Sequence, residues 1–221
     1  MKKFAYALGL LGIVFLAPAA PGATEEKKSA FPGSFSGSLL LTNEYVFRGI
    51  SQSDDVPAVQ GSIDWAHDVG AHLGIWASNV KFTDASIEID YTAGFGRSID
   101  KFSWDLSAIY YQYPGAAGSL NYDFWEIAPS VGYDFGILSA SLGANYSPEY
   151  FGDSGDATYL SAGIEIPLGK SFALAANVGH QWIDKNANFG TDDYLDWGIS
   201  LSAEFEGFTF SVGYTDTDLS D

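Results

Sequence analysis

The chain has 221 residues, a formal net charge of −18 and no cysteine. Its length fits one domain or two small ones, and its acidity argues against nucleic acid as a partner, because the phosphates would be repelled. The lack of cysteine excludes disulfides, thiolate metal sites and a cysteine nucleophile. Charged residues make up only 17% and aromatic residues 16% of the chain. That balance indicates a surface that is partly shielded from bulk water.

The N-terminus predicts a cleaved signal peptide over residues 1–23. Lys2 and Lys3 precede an apolar run over 4–16, and small residues then allow cleavage after Ala19, Ala20 or Ala23. The run is shorter than the roughly 20 apolar residues that a spanning helix needs. Residues 24–34 are polar and predict a flexible leader, which leaves 35–221 as one domain.

Beyond the leader, apolar and polar residues alternate, which predicts strands because side chains change faces at every residue only in an extended chain. The alternating segments are 35–47, 58–66, 71–80, 87–95, 102–111, 124–135, 138–146, 159–166, 172–183, 194–205 and 208–214. The clearest is 194–205, which is as long as a bilayer-spanning strand, about 9–11 residues. The segment 71–80 is ambiguous, because Trp76 shares a face with His72 and Ser78.

The connections between these segments alternate in length. Long, polar loops fill 51–57, 112–123, 147–158 and 184–193, whereas 67–70, 136, 167–170 and 206–207 are short, and 81–86 and 96–101 are intermediate. Short turns at one end and long loops at the other are typical of a transmembrane, up-and-down antiparallel β-barrel of the outer membrane. Since bacterial barrels have an even number of strands, the eleven segments predict about twelve strands, with ten possible, and 215–221 as a candidate for the missing one.

A secreted, soluble β-sandwich or lipocalin-like barrel would show the same alternation, with the apolar face in its core. The weakly charged polar faces, the aromatic content and the alternating loop lengths favour the membrane barrel. Trp65, Trp104, Trp125, Trp182, Tyr113 and Tyr146 lie near predicted strand ends and suit the aromatic girdles of such a barrel, and core packing is the competing explanation.

Several stretches resemble a known family. Residues 43–52 read NEYVFRGISQ, 57–61 read PAVQG, and 74–80 read GIWASNV. Further stretches are EIDY at 88–91, YYQYP at 110–114, WE at 125–126 and YTDTDL at 214–219. The chain is similar over nearly its whole mature length to the TorF family of porins, also called the Gcw-type conserved hypothetical proteins. The resemblance implies an outer-membrane barrel of a Gram-negative bacterium and a pore, and it supplies no substrate or catalytic residue.

The polar faces carry the candidate functional residues. If the apolar faces meet lipid, the acids among them line the lumen: Glu44, Asp64, Glu88, Asp90, Asp105, Glu126, Asp134, Glu165, Asp196 and Glu204. Arg48 shares the face of Glu44, and we expect it to pair with Glu44 or Asp64. An acidic wall concentrates cations, which predicts a cation-favouring channel for small solutes. Equally, the acids could only hydrate the interior or pair structurally, and for Arg48 a structural ion pair is favoured over solute contact.

Two other chemistries fit the sequence less well. Asp153, Asp156, Asp184, Asp192 and Asp193 in the long loops could bind calcium, but their spacing is not that of an EF-hand, and solvated turn residues are the favoured interpretation. We expect no cofactor and no metal.

A lipid-deacylating barrel would need a nucleophile and a base, and His180 on an apolar face is the candidate base. No nucleophile elbow accompanies it, so we expect no enzyme. A non-conducting surface anchor or adhesin is the third alternative. The expected partners are the bilayer and diffusing solutes, and the sequence does not indicate the oligomeric state.

Overall fold

A computed structural model describes residues 32–82 and 84–220 of the chain. The predicted signal peptide and nearly all of the predicted leader lie outside these residues. In the described part, no helix combines the length and apolar character needed to cross a membrane.

Thirteen β-strands make up almost all of the regular structure. They are β1 (Ser34–Thr42), β2 (Val46–Phe47), β3 (Ile50–Ser51), β4 (Ala58–Ala66), β5 (Ala71–Asn79), β6 (Ile87–Ile99), β7 (Phe102–Gln112), β8 (Phe124–Asp134), β9 (Ser139–Ser147), β10 (Ala157–Leu168), β11 (Phe172–Ile183), β12 (Tyr194–Phe205) and β13 (Phe208–Thr217). A 3-10 turn, Gly118–Leu120, and one helical turn, α1 (Asn186–Phe189), lie in the loops.

Eleven of these strands form one antiparallel sheet in the order β1-β4-β5-β6-β7-β8-β9-β10-β11-β12-β13. Apart from the β2–β3 insertion, neighbours in the sequence are neighbours in the sheet, which confirms the predicted all-β, up-and-down architecture. The closing hairpin illustrates the local cause. Glu206 and Gly207 both have positive φ, and Phe205 pairs directly with Phe208. Such a two-residue turn matches the twist of an antiparallel pair.

The apolar faces of the strands point away from the interior of the curled sheet. Leu39, Leu142 and Phe210 are 61–76% exposed, whereas the polar side chains Gln181 and Asp196 on the opposite face are fully buried. A soluble sandwich or lipocalin-like barrel would bury the apolar face instead. The structure therefore has the inside-out distribution that was predicted for a barrel in lipid.

The first predicted strand, 35–47, is wrong in its second half. β1 ends at Thr42, which pairs with Ala58 of β4, so residues 43–57 leave the sheet and return to it at one point. Within this insert, β2 and β3 pair only with each other around a turn at Arg48 and Gly49. Positive φ at both turn residues makes a tight hairpin, and this reversal interrupts the alternation that the sequence continues through Phe47.

The described residues contain no twelfth strand in the sheet, and the candidate at 215–221 instead extends β13 as far as Thr217. Because the number of strands is odd and every pairing is antiparallel, the two end strands β1 and β13 run in the same direction. They are not hydrogen-bonded to each other in the described sheet. The ambiguous Trp76 faces inward, where its ring packs edge-on against Tyr45 of the insert, with 5.3 Å between centroids.

Candidate functional site

The insert 43–57, which we call the inserted hairpin, projects its turn into the interior of the sheet. At its tip, a Cβ on Gly49 would lie 2.9 Å from Cβ of Asp196 and would also meet Thr217 of β13. The tip thus touches the wall so closely that only glycine fits. Arg48 beside it has a φ of 47°, which costs a non-glycine residue roughly 1–2 kcal/mol. The contacts of its side chain must offset that strain.

Those contacts hold the Arg48 guanidinium between two wall strands. Nη2 donates to Oε2 of Glu126 on β8 at 2.7 Å, and Nη1 donates to Oε1 of Gln181 on β11 at 2.8 Å. Its Cζ also lies over the rings of Phe47 and Tyr159, 4.6 and 4.4 Å from their centroids. We call the wall residues Glu126, Gln181 and Tyr159 the arginine cradle.

Arg48 and Glu126 form a buried ion pair. Burial by itself would lower the pKa of Arg48, but the Glu126 carboxylate is the main group that raises it above its ordinary value. Arg48 therefore stays charged. Glu126 also accepts hydrogen bonds from the Tyr111 hydroxyl at 3.1 Å and from Nδ2 of Asn145 at 2.9 Å. The expected partner of Arg48, Glu44 or Asp64, is wrong: the ion pair is with Glu126, which is 78 residues away in the sequence.

A second attachment joins the inserted hairpin to β6. The Tyr45 hydroxyl donates to Oε1 of Glu88 at 3.1 Å, while the Tyr45 amide donates to Oγ of the buried Ser53 at 2.9 Å. Glu88 is 2% exposed, and its Oε2 has no hydrogen-bond partner. Oδ1 of Asp90, two residues along the same face, is buried without a partner as well. The interior thus keeps acceptor oxygens that no protein donor satisfies.

Glu44 begins the inserted hairpin and is buried. Burial raises its pKa, the hydrogen bond from Ser51 lowers it, and the hydrogen bond and charge of Asp55 raise it further. The net direction is upward, so folding favours the protonated form of this carboxyl.

An aromatic layer packs around the inserted hairpin at the long-loop end of the sheet. Tyr122 stacks on Phe151 with 4.3 Å between centroids, and Phe82 and Tyr113 contact both of these rings. Tyr113 is only 6% exposed, so its predicted place in an interfacial girdle is wrong. The long loops are polar in sequence, so their aromatic residues gave no local signal of this layer.

The remaining candidate acids range from buried to exposed. Asp196 on β12 is fully buried; its Oδ1 accepts a hydrogen bond from the Tyr159 hydroxyl at 3.2 Å, and its Oδ2 has no partner. Asp105 lies deeper towards the short turns and contacts Nε2 of His72 at 2.7 Å. Asp64 accepts a hydrogen bond from Ser62 at 2.7 Å. Both are half-buried.

Asp134, Glu165 and Glu204 lie near the short turns and are exposed. Asp134 accepts the Gly136 amide at 2.6 Å, which is the role of a turn residue. The candidate acids therefore do not form one cluster; those beside the inserted hairpin are buried, and those at the turn end are open to solvent.

The loop acids mainly hold backbone and side chains in place. Oδ1 of Asp193 accepts the Ile183 amide at 2.9 Å, and Oδ2 of Asp153 accepts from Nδ2 of Asn121 at 2.6 Å. Within residues 32–82 and 84–220, no three His, Cys, Asp or Glu side chains are grouped so that they could hold a metal ion. His180 lies on the outer face against Trp182, 4.1 Å between ring centroids, and its Nδ1 has no hydrogen-bond partner.

Comparison with known proteins gives one family. The family described as "Bacterial protein of unknown function (Gcw_chp)" matches residues 26–221. No curated protein matches the chain.

Several solved structures resemble it distantly. The outer membrane protein OprD from Pseudomonas aeruginosa is 9% identical, with 87% of this chain and 67% of that chain covered and a TM-score of 0.44. OccAB4 from Acinetobacter baumannii is 8% identical, with 83% and 62% covered and a TM-score of 0.44. An outer membrane channel from Pseudomonas putida F1 is 10% identical, with 88% and 99% covered and a TM-score of 0.43. The chain thus spans about two thirds of the length of OprD and less of OccAB4.

Proposed function

The chain belongs to the Gcw_chp family of bacterial proteins, whose function is unknown, and we propose that it is an outer-membrane, porin-like channel for small solutes. The observation that carries this proposal is the inside-out sheet, with large apolar side chains exposed on one face and carboxylates buried on the other. An exposed apolar face of this extent needs a covering, and hydrocarbon is the covering that alternating strands of 9–13 residues suit. A polar interior inside such a wall provides a path for water and solutes.

The proposed channel is closed at its long-loop end in this conformation. Glu126, Gln181 and Asp196 surround the tip of the inserted hairpin and are at most 1% exposed, so water does not reach their side chains there. The opposite end differs, because Glu165 and Glu204 on the same inner face are exposed. Conduction therefore requires the inserted hairpin to move, and the bonds of Arg48 and Tyr45 set the free energy of that movement.

We further propose that the channel favours cations. Arg48 neutralises one of the interior carboxylates, Glu126, whereas Glu165 and Glu204 on the same inner face are exposed to solvent. Ionised carboxylates on the wall of a channel raise the local concentration of cations. The signal peptide, the outer-membrane location and the porin activity that the TorF name implies belong to the same proposal.

A non-conducting structural barrel is the second candidate, and the closed interior is the observation that favours it. Planar-bilayer recording of the refolded full-length protein separates the two. We expect discrete conductance steps, and a reversal potential of cation-selective sign in a KCl gradient. A protein that inserts into the bilayer but stays silent, both as wild type and with the inserted hairpin removed, would establish the structural alternative. Steps with anion preference would retain the channel and eliminate the acidic-selectivity proposal.

A further inference from the structure

The arginine cradle has the chemistry of a guanidinium receptor. Glu126 supplies a carboxylate and Gln181 supplies an amide oxygen, at 2.7 and 2.8 Å from different nitrogens of one guanidinium. The ring of Tyr159 lies 4.4 Å from the guanidinium carbon. Planar recognition by separate acceptors and an aromatic face suits a guanidinium better than the compact ammonium of lysine.

The cradle belongs to the wall, whereas its occupant does not. Glu126, Tyr159 and Gln181 lie on β8, β10 and β11 of the eleven-stranded sheet. Arg48 belongs to the inserted hairpin, which pairs with itself and adds no strand to that sheet. The guanidinium can therefore leave without breaking a backbone ladder of the wall.

A neighbouring carboxylate adds to the site. Asp196 is fully buried, touches the tip of the inserted hairpin through its Cβ, and interacts electrostatically with Arg48. Its Oδ2 has no hydrogen-bond partner. If Arg48 left without replacement, Glu126 and Asp196 would remain as two buried carboxylates without a cation, which is strongly unfavourable. Exchange for another cation of the same shape avoids that penalty.

We propose that the arginine cradle is a binding site for solutes that carry a guanidinium group, and that Arg48 is its internal occupant. Such a solute competes with Arg48 for Glu126 and Gln181. Its binding releases the inserted hairpin from the wall. This binding site is inferred from contacts of the interior, and its tests do not measure conductance. The binding site can therefore be disproved while the proposed channel stands, and the channel can be disproved while the binding site stands.

The first test uses an Arg48→Ala variant and the dication agmatine, which carries one guanidinium and one amine. The control ligand is 1,4-diaminobutane, which has the same charge and no guanidinium. We expect agmatine to raise the melting temperature of Arg48→Ala in a saturable way, with an apparent Kd at least tenfold below that of diaminobutane. The double variant Arg48→Ala/Glu126→Gln should lose this difference. Equal effects of the two ligands, or an agmatine effect that persists in the double variant, would overturn the proposal.

The second test keeps Arg48 and does not depend on the folding of that variant. The chain has no cysteine, so Ser53→Cys places a unique thiol at a position that is 0% exposed within the inserted hairpin. Millimolar agmatine should accelerate maleimide labelling of this thiol at least fivefold, and diaminobutane should not. Labelling that is equally slow with both ligands would show that a guanidinium does not displace Arg48. If Arg48→Ala does not refold, this measurement decides by itself.

Discussion

Arg48 combines an unfavourable backbone conformation with a buried side chain that makes four interior contacts. Its left-handed φ of 47° is compensated by an ion pair, an amide hydrogen bond and two ring contacts. Strain of this kind persists only where the surroundings over-determine the conformation, and here the contacts come from three wall strands and from β2. The stability of the inserted hairpin therefore depends on a few residues that can be changed singly.

The first residue-scale prediction concerns Glu126→Gln. The change leaves the Arg48 guanidinium buried opposite a neutral amide, and removing one partner of a buried pair costs about 3–5 kcal/mol. We expect a loss of that size in the free energy of unfolding, measured by urea titration in detergent micelles. Glu165→Gln is the matched control, because Glu165 lies on the same inner face but is exposed and should change stability by less than about 0.5 kcal/mol.

The second residue-scale prediction compares two glycines with positive φ. Gly49→Ala adds a Cβ against Asp196 and Thr217, whereas a Cβ on Gly115, which has a φ of 93°, would meet nothing within 4 Å. Both variants carry backbone strain of about 1–2 kcal/mol. Only Gly49→Ala also displaces the hairpin tip, so we expect the larger fall in melting temperature there. Equal falls would mean that the tip is not seated against β12 and β13.

The third residue-scale prediction is a pH dependence. The pKa of Glu44 is raised, chiefly by burial, so the folded state binds a proton more tightly than the unfolded state does. Stability from this group is full below the unfolded pKa of about 4.3 and is lost as the pH rises through the folded pKa. Between pH 4 and pH 7, wild type should therefore lose stability relative to Glu44→Gln. A difference that is constant across this range would contradict the assignment.

At the scale of elements, the inserted hairpin is separable from the wall. Thr42 and Ala58 are direct partners across β1 and β4, so a two-residue Asn-Gly turn can replace residues 43–57 without changing the register. The four residues of β2 and β3 form a hairpin of their own and contribute no hydrogen bond to the eleven-stranded ladder.

We expect this replacement to enlarge the unit conductance severalfold, because the segment that fills the long-loop end is removed. Planar-bilayer recording supplies the conductance, and far-UV circular dichroism of the same sample checks that the sheet is retained. Gly49→Ala keeps the inserted hairpin but displaces its tip. We therefore expect an unchanged unit conductance and more frequent openings than in wild type. An unchanged conductance in a variant with intact sheet content would show that the inserted hairpin does not close the path.

At the scale of the whole molecule, the two faces of the sheet reverse the distribution of a soluble protein. Exposed apolar residues extend from Phe35 on β1 to Tyr214 on β13. We therefore expect the chain to need detergent or lipid, and a chain that stays monomeric and compact in plain buffer would contradict the membrane proposal. If the chain is the proposed channel, we expect the acids of the interior to decide which ions enter.

The ion selectivity of the proposed channel tests whether the interior acids decide which ions enter. Glu165→Gln/Glu204→Gln removes two exposed carboxylates from the inner face at the turn end, where solutes would pass. We expect the reversal potential in a KCl gradient to move towards zero, because fewer fixed negative charges concentrate cations. Asp68→Asn/Asp100→Asn makes the same change in net charge at exposed positions in the short turns and should have a smaller effect. Equal shifts would assign the selectivity to net charge and not to the wall.

The sequence by itself determined the strands and their two faces. A period of two assigns each residue of 194–205 or 87–95 to one face whatever the rest of the chain does, because it depends only on local backbone geometry. The tight turn at Glu206 and Gly207 can also be predicted from the sequence, because it too depends only on local backbone geometry. Local patterns could not decide the direction of Trp76, which faces Tyr45 of the inserted hairpin and not lipid.

Only the tertiary structure decided what fills the interior. The alternation continues through Phe47 as if β1 did, and nothing local shows that the chain turns inward at 43. The partners of Arg48 lie 78 and 133 residues away, and they meet it because β8 and β11 curl round the same space. An ion pair depends on distance in space and not in sequence, so the acid that a pattern places nearest to Arg48 was not the one that neutralises it.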